Sequence, residues 1–161
     1  MNIVQLCQIL FVALIGAFAL LVAVNNVRDP GPNLRLVQHV MSMDDVFQDT
    51  RLKGRAVTSP LAHRVFFWLI VAAEGLVAAL CLAGAALLAM VHGAAPAEFH
   101  AAKPVAFAGL ALGFAVWFGG FMVIGGQWFA SWQSKAWSGR ESAFMFYSAI
   151  GIVFLALLHQ A

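Results

Sequence analysis

The sequence is poor in charge. Asp, Glu, Lys and Arg make up 10% of its 161 residues, whereas hydrophobic residues make up 63%. Soluble domains carry roughly 25% charged residues, so this composition excludes a soluble globular protein. The net charge of +2 is carried outside the apolar runs and gives no indication of a nucleic-acid-binding surface.

Cysteine is scarce too, and the chain lacks the common catalytic motifs. Its two cysteines, Cys7 and Cys81, both fall inside apolar runs, which excludes a disulfide framework or a zinc site built on paired cysteines. We find no pairing of a nucleophile with a base, no metal-ligand spacing and no phosphate-binding loop. The sequence therefore predicts no enzyme activity, no catalytic residue, no metal site and no cofactor, with haem or quinone kept as alternatives.

Long apolar runs dominate the rest of the chain. Four of them, at 3–24, 65–91, 104–126 and 142–158, approach or exceed the ~20 residues that a helix needs to cross the bilayer. The first run carries no Lys or Arg before it and is longer than a signal-peptide core, so we interpret it as a retained span. The predicted fold is all-α: a four-helix transmembrane bundle forming a single membrane domain over 1–161.

The connections carry helix signals of their own. The breaker at 29–32 ends the first helix, which we place up to about Val24, and the long polar loop 25–64 contains an amphipathic pattern from 33 to 47. That pattern predicts an interfacial helix. Ser59-Pro60 predicts the start of span two, and Ser138 with Glu141 predicts a capping box opening span four.

Small residues predict where the helices pack. Gly109 and Gly113 are four apart in span three, and Gly75 and Ala79 are four apart in span two. Such pairs allow backbones to approach closely. We expect both pairs to serve packing within the monomer, and a face for self-association is the alternative.

Glu74 is the one charged residue inside the four runs. A charge at the bilayer centre costs roughly 2.5 to 3.5 kcal/mol on insertion scales, so such a residue marks a candidate site. Counting ~1.5 Å per residue places it about 13 Å from the end of the span that faces the long loop. The same depth predicts a buried polar cluster of Glu74 with Trp117 and with Tyr147 or Ser148. This cluster is either a functional site or a neutral acid that joins helices.

A second candidate surface lies at the membrane boundary. Trp128 and Trp132 are four residues apart and would share a face if this segment were helical, and two Gln and two Ser lie among the tryptophans of this segment. An interfacial aromatic belt explains the tryptophans, whereas a ligand or partner surface would also explain the amides. His39 and His63 lie on the same side of the membrane and keep haem open as an alternative. The candidate surface comprises His39, His63, Gln127, Trp128, Trp132 and Trp137.

Several of these segments together resemble a bacterial family of small integral membrane proteins with four spans and no assigned function. The resemblance rests on Asn25-Asn26, the segment 37–44, Ser59-Pro60, Glu74 and the Gly-Gly-x-Trp-Phe and Trp-Gln-Ser stretches between 125 and 134. It implies the fold but no activity or cofactor. Relatives tend to carry Glu where this chain has Gln127, which implies that a charge at that position is not required for packing.

Two indications of membrane orientation disagree. Eight of the nine Lys and Arg residues lie in the first and third connections, which the positive-inside rule places in the cytoplasm. The resembled family tends to have basic residues at the N-terminus and in the second connection, which implies the opposite orientation.

From these features we expect an accessory or structural subunit of a larger bacterial membrane complex, for instance a respiratory or quinone-linked one. The alternative is a membrane protein that binds a small molecule such as quinone, lipid or haem. A transporter or channel is less favoured because one intramembrane charge makes a poor pathway. The expected partners are the lipid bilayer and other membrane subunits, and the expected location is the bacterial inner membrane.

Overall fold

A computed structural model describes residues 2–159 and shows an all-helical protein. Four helical segments are long and apolar enough to cross a membrane. They are α1 (Ile3–Arg28), α3 (Pro60–Met90), a third span over Pro104–Trp128 that begins with α5 (Pro104–Phe114), and α6 (Arg140–Leu158). The four-helix transmembrane fold predicted from the apolar runs is confirmed. We call the end of the bundle where α3 and α6 begin the loop face.

The helix ends differ from the sequence prediction at two places. Helix α1 continues to Arg28, and the amide of Asp29 still donates to the carbonyl of Asn25 at 2.8 Å. At the start of α6 the predicted capping box is wrong, because Gly139 in the left-handed region (φ 62°) precedes the helix and no side chain caps it. The predicted start of α3 is confirmed, since the Ser59 hydroxyl accepts from the amide of Ala62 at 3.3 Å.

The third span changes helix type in the middle of the bundle. After α5, residues Ala115–Trp128 form a π-helical segment, in which each amide bonds to the carbonyl five residues earlier, as Phe129 does with Ile124 at 3.0 Å. π-Helix is usually confined to single-turn bulges, which occur frequently at functional sites. The glycine pairs at 119–120 and 125–126 lie within this wider segment.

Glycines set the closest helix contacts of the bundle. A Cβ atom at Gly84 would lie 2.6 Å from the backbone of Ala106, and one at Gly109 would lie 2.7 Å from the sulfur of Cys81. Helices α3 and α5 therefore touch backbone to backbone. The expectation for Gly75 was wrong, because a Cβ there would meet nothing within 4 Å. With the exposed Ala79, it faces away from the bundle.

The first connection is folded onto the loop face. Helix α2 (Gly31–Ser42) packs against α3, shorter than the predicted 33–47 because Met43 adopts a left-handed conformation (φ 51°). Short 3₁₀ turns follow at Arg51–Arg55 in this connection and at Ser131–Gln133 in the third, and α4 (Pro96–Ala101) lies in the second. A small second core joins the first and third connections through Met41, Met43, Val46, Phe129 and Ala130.

Candidate functional site: a buried carboxyl beneath helix α2

Glu74 lies inside the bundle. It belongs to the inward face of α3 and is 2% exposed. Its carboxylate accepts one hydrogen bond, from the Nδ2 of Asn26 on α1 at 2.8 Å. No Lys, Arg or His pairs with it within the described part of the chain. The carboxyl group is therefore buried with a neutral partner and with one oxygen, Oε1, that no described residue bonds.

Asn26 links Glu74 to the surface. Its own carbonyl oxygen accepts a hydrogen bond from the Nδ2 of Asn33, near the start of α2. Asn26 is buried and Asn33 is exposed. The donors thus run inward, from the exposed Asn33 through Asn26 to Glu74.

The partners of Glu74 differ from those predicted. Trp117 shares a cavity with Glu74, but Tyr147 packs its ring against Phe114, Phe118 and Phe144 instead. Within the described residues 2–159, neither Tyr147 nor Ser148 forms a hydrogen bond with Glu74. The depth count gives the level of a residue in the membrane but not the face of its helix, so it could not show that Tyr147 on α6 packs against other aromatic rings. The sequence prediction also ended the first helix at about Val24, before Asn26, so the actual partner of Glu74 was not considered.

A cavity of about 170 Å³ lies beside this group. Most of its wall is apolar, and we call it the polar cavity for the few polar side chains that the wall contains. Glu74, Asn26 and Asn33 supply its polar wall, and Trp117 and Phe146 supply aromatic walls. Helix α2 closes it from the loop face through Leu36 and Val37.

A second cavity of about 140 Å³ adjoins the first, and its walls are almost entirely apolar. The two cavities share four lining residues, which are Leu36, Val37, Ile70 and Phe121. Gly120 and Gly125 of the π segment line the second cavity. They are five residues apart, which is one i to i+5 step, so the missing side chains fall on the same face and leave space there.

The tryptophan segment contacts the first connection at three points. The Trp137 ring stacks on His39 with centroids 4.1 Å apart, the Trp132 ring meets Phe47 edge-on at 6.0 Å, and the Cζ of Arg55 lies 4.7 Å from the Trp128 ring. Each tryptophan thus holds one residue of the first connection. Trp128 and Trp132 remain about half exposed, as residues of an interfacial belt are.

Polar side chains complete this contact. The side-chain oxygen of Gln133 accepts from the amide of Phe47 at 3.0 Å, and the Ser134 hydroxyl donates to Asp45. These bonds account for one of the two Gln and one of the two Ser that a belt alone left unexplained. Gln127 is exposed. That a ligand or a partner protein binds at this surface stays a prediction.

The two histidines of the candidate surface have separate partners. His39 Nδ1 donates to the carboxylate of Asp44 at 2.8 Å. His63 Nε2 donates to the carbonyl of Val57 at 2.6 Å, which fixes the proton on that nitrogen because a carbonyl can only accept. Both histidines therefore hold the first connection in place.

Comparison with known families gives the chain its relatives. Residues 4–160 match the model of a family described as predicted small integral membrane protein (DUF2165). The chain belongs to this family. It is therefore an integral membrane protein with several spans that contacts the lipid bilayer. Comparison with curated proteins found no match, and comparison with solved structures found none either.

This member of the family has a second buried polar group, at the opposite end of the bundle. Lys103 is 1% exposed, and its Nζ donates to the carbonyls of Leu157 and His159 at 2.8 Å each. Gln8 donates to the carbonyl of Ala156 at 2.7 Å. Together they bond three carbonyls at the C-terminal end of α6, where a helix leaves carbonyls without partners. Sequence reasoning missed this role, although a Lys directly before a span is a visible signal.

Burial lowers the pKa of Lys103, because removing the ammonium from water disfavours its charged form. The amine lies just before the third span, which begins at Pro104. Its role in the structure is to donate hydrogen bonds to the C-terminal end of α6.

A larger and more open hollow of about 900 Å³ lies outside the bundle at the third connection. Lys135, Arg140 and Glu141 line it, so charges of both signs face the solvent there. Glu74 does not line it, and we place the candidate site at the two smaller cavities.

Proposed function

We propose that the protein binds a small amphiphilic molecule taken from the bilayer, with the polar end at Glu74 and the apolar end between Gly120 and Gly125. The observation that carries this proposal is the pair of adjoining cavities, of which one has a few polar groups in a mostly apolar wall and the other has an almost entirely apolar wall. Small-molecule sites are mostly apolar with a few convergent polar groups. The combined space approaches the lower end of the ~300–1,000 Å³ range of such sites.

The buried carboxyl supports a binding role. A carboxyl without a full set of partners is costly in an apolar surrounding, and Oε1 has no bonding partner among the described residues. The cavity beside it has room for a ring-sized group, since an apolar cavity of about 150 Å³ holds benzene. A ligand that bonds to Oε1 would offset the cost of burying the group.

Two side chains in the wall of the apolar cavity are exposed on the outside of the bundle. Phe66 on α3 and Ile124 on the π segment both line the cavity and are 49% and 51% exposed. In a spanning bundle such exposed side chains contact lipid chains. A hydrocarbon chain can therefore enter between them without crossing water.

Two glycine variants test this function. A Cβ atom added at Gly119 or at Gly120 would meet no atom within 4 Å, but Gly120 lines the apolar cavity and Gly119 does not. We expect mild extraction followed by mass spectrometry to find a bound amphiphile in the wild type and in Gly119→Leu, and to find it depleted in Gly120→Leu. Equal retention by all three, or no bound molecule in any, would overturn the proposal.

A second candidate function is an accessory or structural subunit of a larger membrane complex, such as a respiratory or quinone-linked one. The outward face of α3 favours it, because small residues line that face at helical spacing: Ala72, Gly75, Ala79, Ala83 and Ala86. Small residues are typical of helix contacts in membranes. A photo-crosslinking amino acid at Ala79 tests this candidate. It should capture a discrete partner, whereas the same group at Ile152 on α6, which is also exposed, should capture lipid.

A further inference from the structure

The hydrogen-bonding atoms of the polar cavity define the chemistry of its ligand, and the inference here rests on the proposed function. Two groups face a ligand without a protein partner among residues 2–159. One is Oε1 of Glu74, whose other oxygen accepts from Asn26. The other is the indole N–H of Trp117: the residue lines the same cavity, and its nitrogen has no acceptor among these residues and is not one of the fully buried unpaired atoms, so a small molecule can reach it. We infer that the ligand carries a hydroxyl on its polar end.

A hydroxyl can serve both groups at once. Its hydrogen can donate to Glu74 while its oxygen accepts from the indole, because a hydroxyl has one donor and two acceptor sites. A carbonyl or an ether oxygen can only accept. An ammonium group can only donate, and it would leave the indole N–H without an acceptor.

The asparagine chain reinforces this assignment. The Nδ2 of Asn33 donates to Asn26, and the Nδ2 of Asn26 donates to Glu74. The chain therefore presents Glu74 with a donor from one side and leaves Oε1 for the ligand on the other. A hydroxyl completes this arrangement in either protonation state of Glu74, because it can donate to a carboxylate and accept from a carboxylic acid, whereas a carbonyl or an ether oxygen completes it only when Glu74 is protonated.

The neighbouring cavity assigns the rest of the ligand. Its almost entirely apolar walls and its shared residues Val37 and Phe121 suit a hydrocarbon chain attached to the hydroxyl. Two kinds of molecule fit this description, a long-chain alcohol and an alkylphenol. The volume of the polar cavity, about 170 Å³, accommodates either a hydroxymethyl end or a single aromatic ring.

Equilibrium binding to the full chain in lipid nanodiscs, with empty nanodiscs subtracted, tests the inference. The alcohol arm uses dodecanol, dodecyl methyl ether, dodecylamine and tridecan-2-ol, which matches the ether in carbon number but keeps the hydroxyl. The phenol arm uses nonylphenol and its methyl ether. We expect the hydroxyl compounds of at least one arm to bind about tenfold or more tightly than the ether of that arm, which corresponds to one hydrogen bond to a charged or strongly polar group.

The variant Glu74→Gln separates head-group recognition from folding. Its amide oxygen can still accept from Asn26, while its NH₂ replaces an acceptor with a donor towards the ligand. The preference for alcohol over ether should therefore fall several-fold, and Glu98→Gln, an exposed residue of α4, should retain it. A melting temperature close to that of the wild type confirms that Glu74→Gln folds.

The outcomes distinguish the inference from the function. Tighter binding by nonylphenol than by dodecanol would assign a phenol, and the reverse would assign an alcohol. If the methyl ethers or the amine bind as tightly as the hydroxyl compounds, or if Glu74→Gln keeps the wild-type preference, the head-group inference is wrong and the proposed function stands. If no probe binds above empty nanodiscs, the proposed function fails.

Discussion

A carboxyl group in the interior of a membrane bundle needs donors, and Glu74 has one from the protein. The donor belongs to Asn26, which reaches it because α1 extends to Arg28. Asn25, the preceding residue, points outward and is exposed. Two adjacent residues of the same type thus have different roles, and their substitutions can be compared directly.

We expect Asn26→Ala to lower the free energy of unfolding by about 1–3 kcal/mol, the cost of leaving a buried polar group without its partner. Asn25→Ala should change it by less than about 0.5 kcal/mol, as is usual for exposed positions. Unfolding of both variants in mixed micelles, compared with the wild type, measures the difference. Equal losses in the two variants would mean that the bond to Glu74 contributes little.

Lys103 predicts a pH dependence of stability. Its pKa is lowered in the folded protein, whereas the unfolded chain titrates near the ordinary value of about 10.4. Between those values the unfolded state binds more protons, so raising the pH through this window stabilises the fold. Unfolding measured from neutral pH to about pH 10 should therefore show a steeper rise for the wild type than for Lys103→Met.

Lys135→Met is the matched control, because Lys135 is exposed. This variant should follow the wild-type slope. A slope for Lys103→Met equal to that of the wild type would assign the pH dependence to other groups. Absolute stability will also fall in Lys103→Met, since the carbonyls of Leu157 and His159 lose their donor, so the comparison is between slopes.

At the scale of elements, the contact between α3 and α5 depends on Gly84. Any side chain there meets the backbone of Ala106, which cannot move aside as a flexible side chain can. We expect Gly84→Ala to destabilise the protein by about 1–3 kcal/mol through overpacking. Gly75→Ala lies on the same helix in open space and should be neutral or slightly stabilising, because alanine favours helix. Melting temperatures in detergent distinguish the two, and a tolerated Gly84→Ala would contradict the close contact.

The tryptophan contacts predict how α2 is held over the cavities. Trp137→Ala removes the stacking partner of His39 on α2, so we expect faster amide exchange and faster proteolysis in 31–58. Trp68→Ala, on the lipid-facing side of α3 and about half exposed, should leave that segment unchanged. Hydrogen exchange measured by mass spectrometry in nanodiscs compares the two. Unchanged protection of 31–58 in Trp137→Ala would show that the aromatic contact is dispensable.

Some helices of this protein can be predicted from the sequence and others cannot. Apolar runs predicted all four spans, because length and hydropathy are local properties. The π segment at Ala115–Trp128 was not predicted, since its hydrogen-bond register leaves no distinctive residue pattern. Asn26 was not predicted as the partner of Glu74, because the first helix was expected to end at about Val24, whereas α1 continues through Asn25 and Asn26 to Arg28. The tryptophan contacts join segments about 75 to 100 residues apart, a relation that no local pattern encodes.

At the scale of the whole molecule, the candidate site belongs to one face of the membrane. The chain of Asn33, Asn26 and Glu74 leads inward from the loop face. The basic residues of the first and third connections lie at the same face, whereas Lys103 lies at the opposite end and is bound to the end of α6. The orientation of the bundle therefore decides which compartment reaches Glu74.

The positive-inside rule predicts that the loop face is cytoplasmic, since eight of the nine Lys and Arg residues lie in its connections or at the helix ends beside them. Single cysteines at Asp49 and Glu98, introduced after Cys7 and Cys81 are replaced by alanine, test this in intact bacterial cells with a membrane-impermeant maleimide. Glu98→Cys should react at once, and Asp49→Cys should react only after permeabilisation. Both positions are exposed, so access to the reagent depends on the side of the membrane. The reverse pattern would place the loop face outside, as the family resemblance implies, and the polar end of the site would then open away from the cytoplasm.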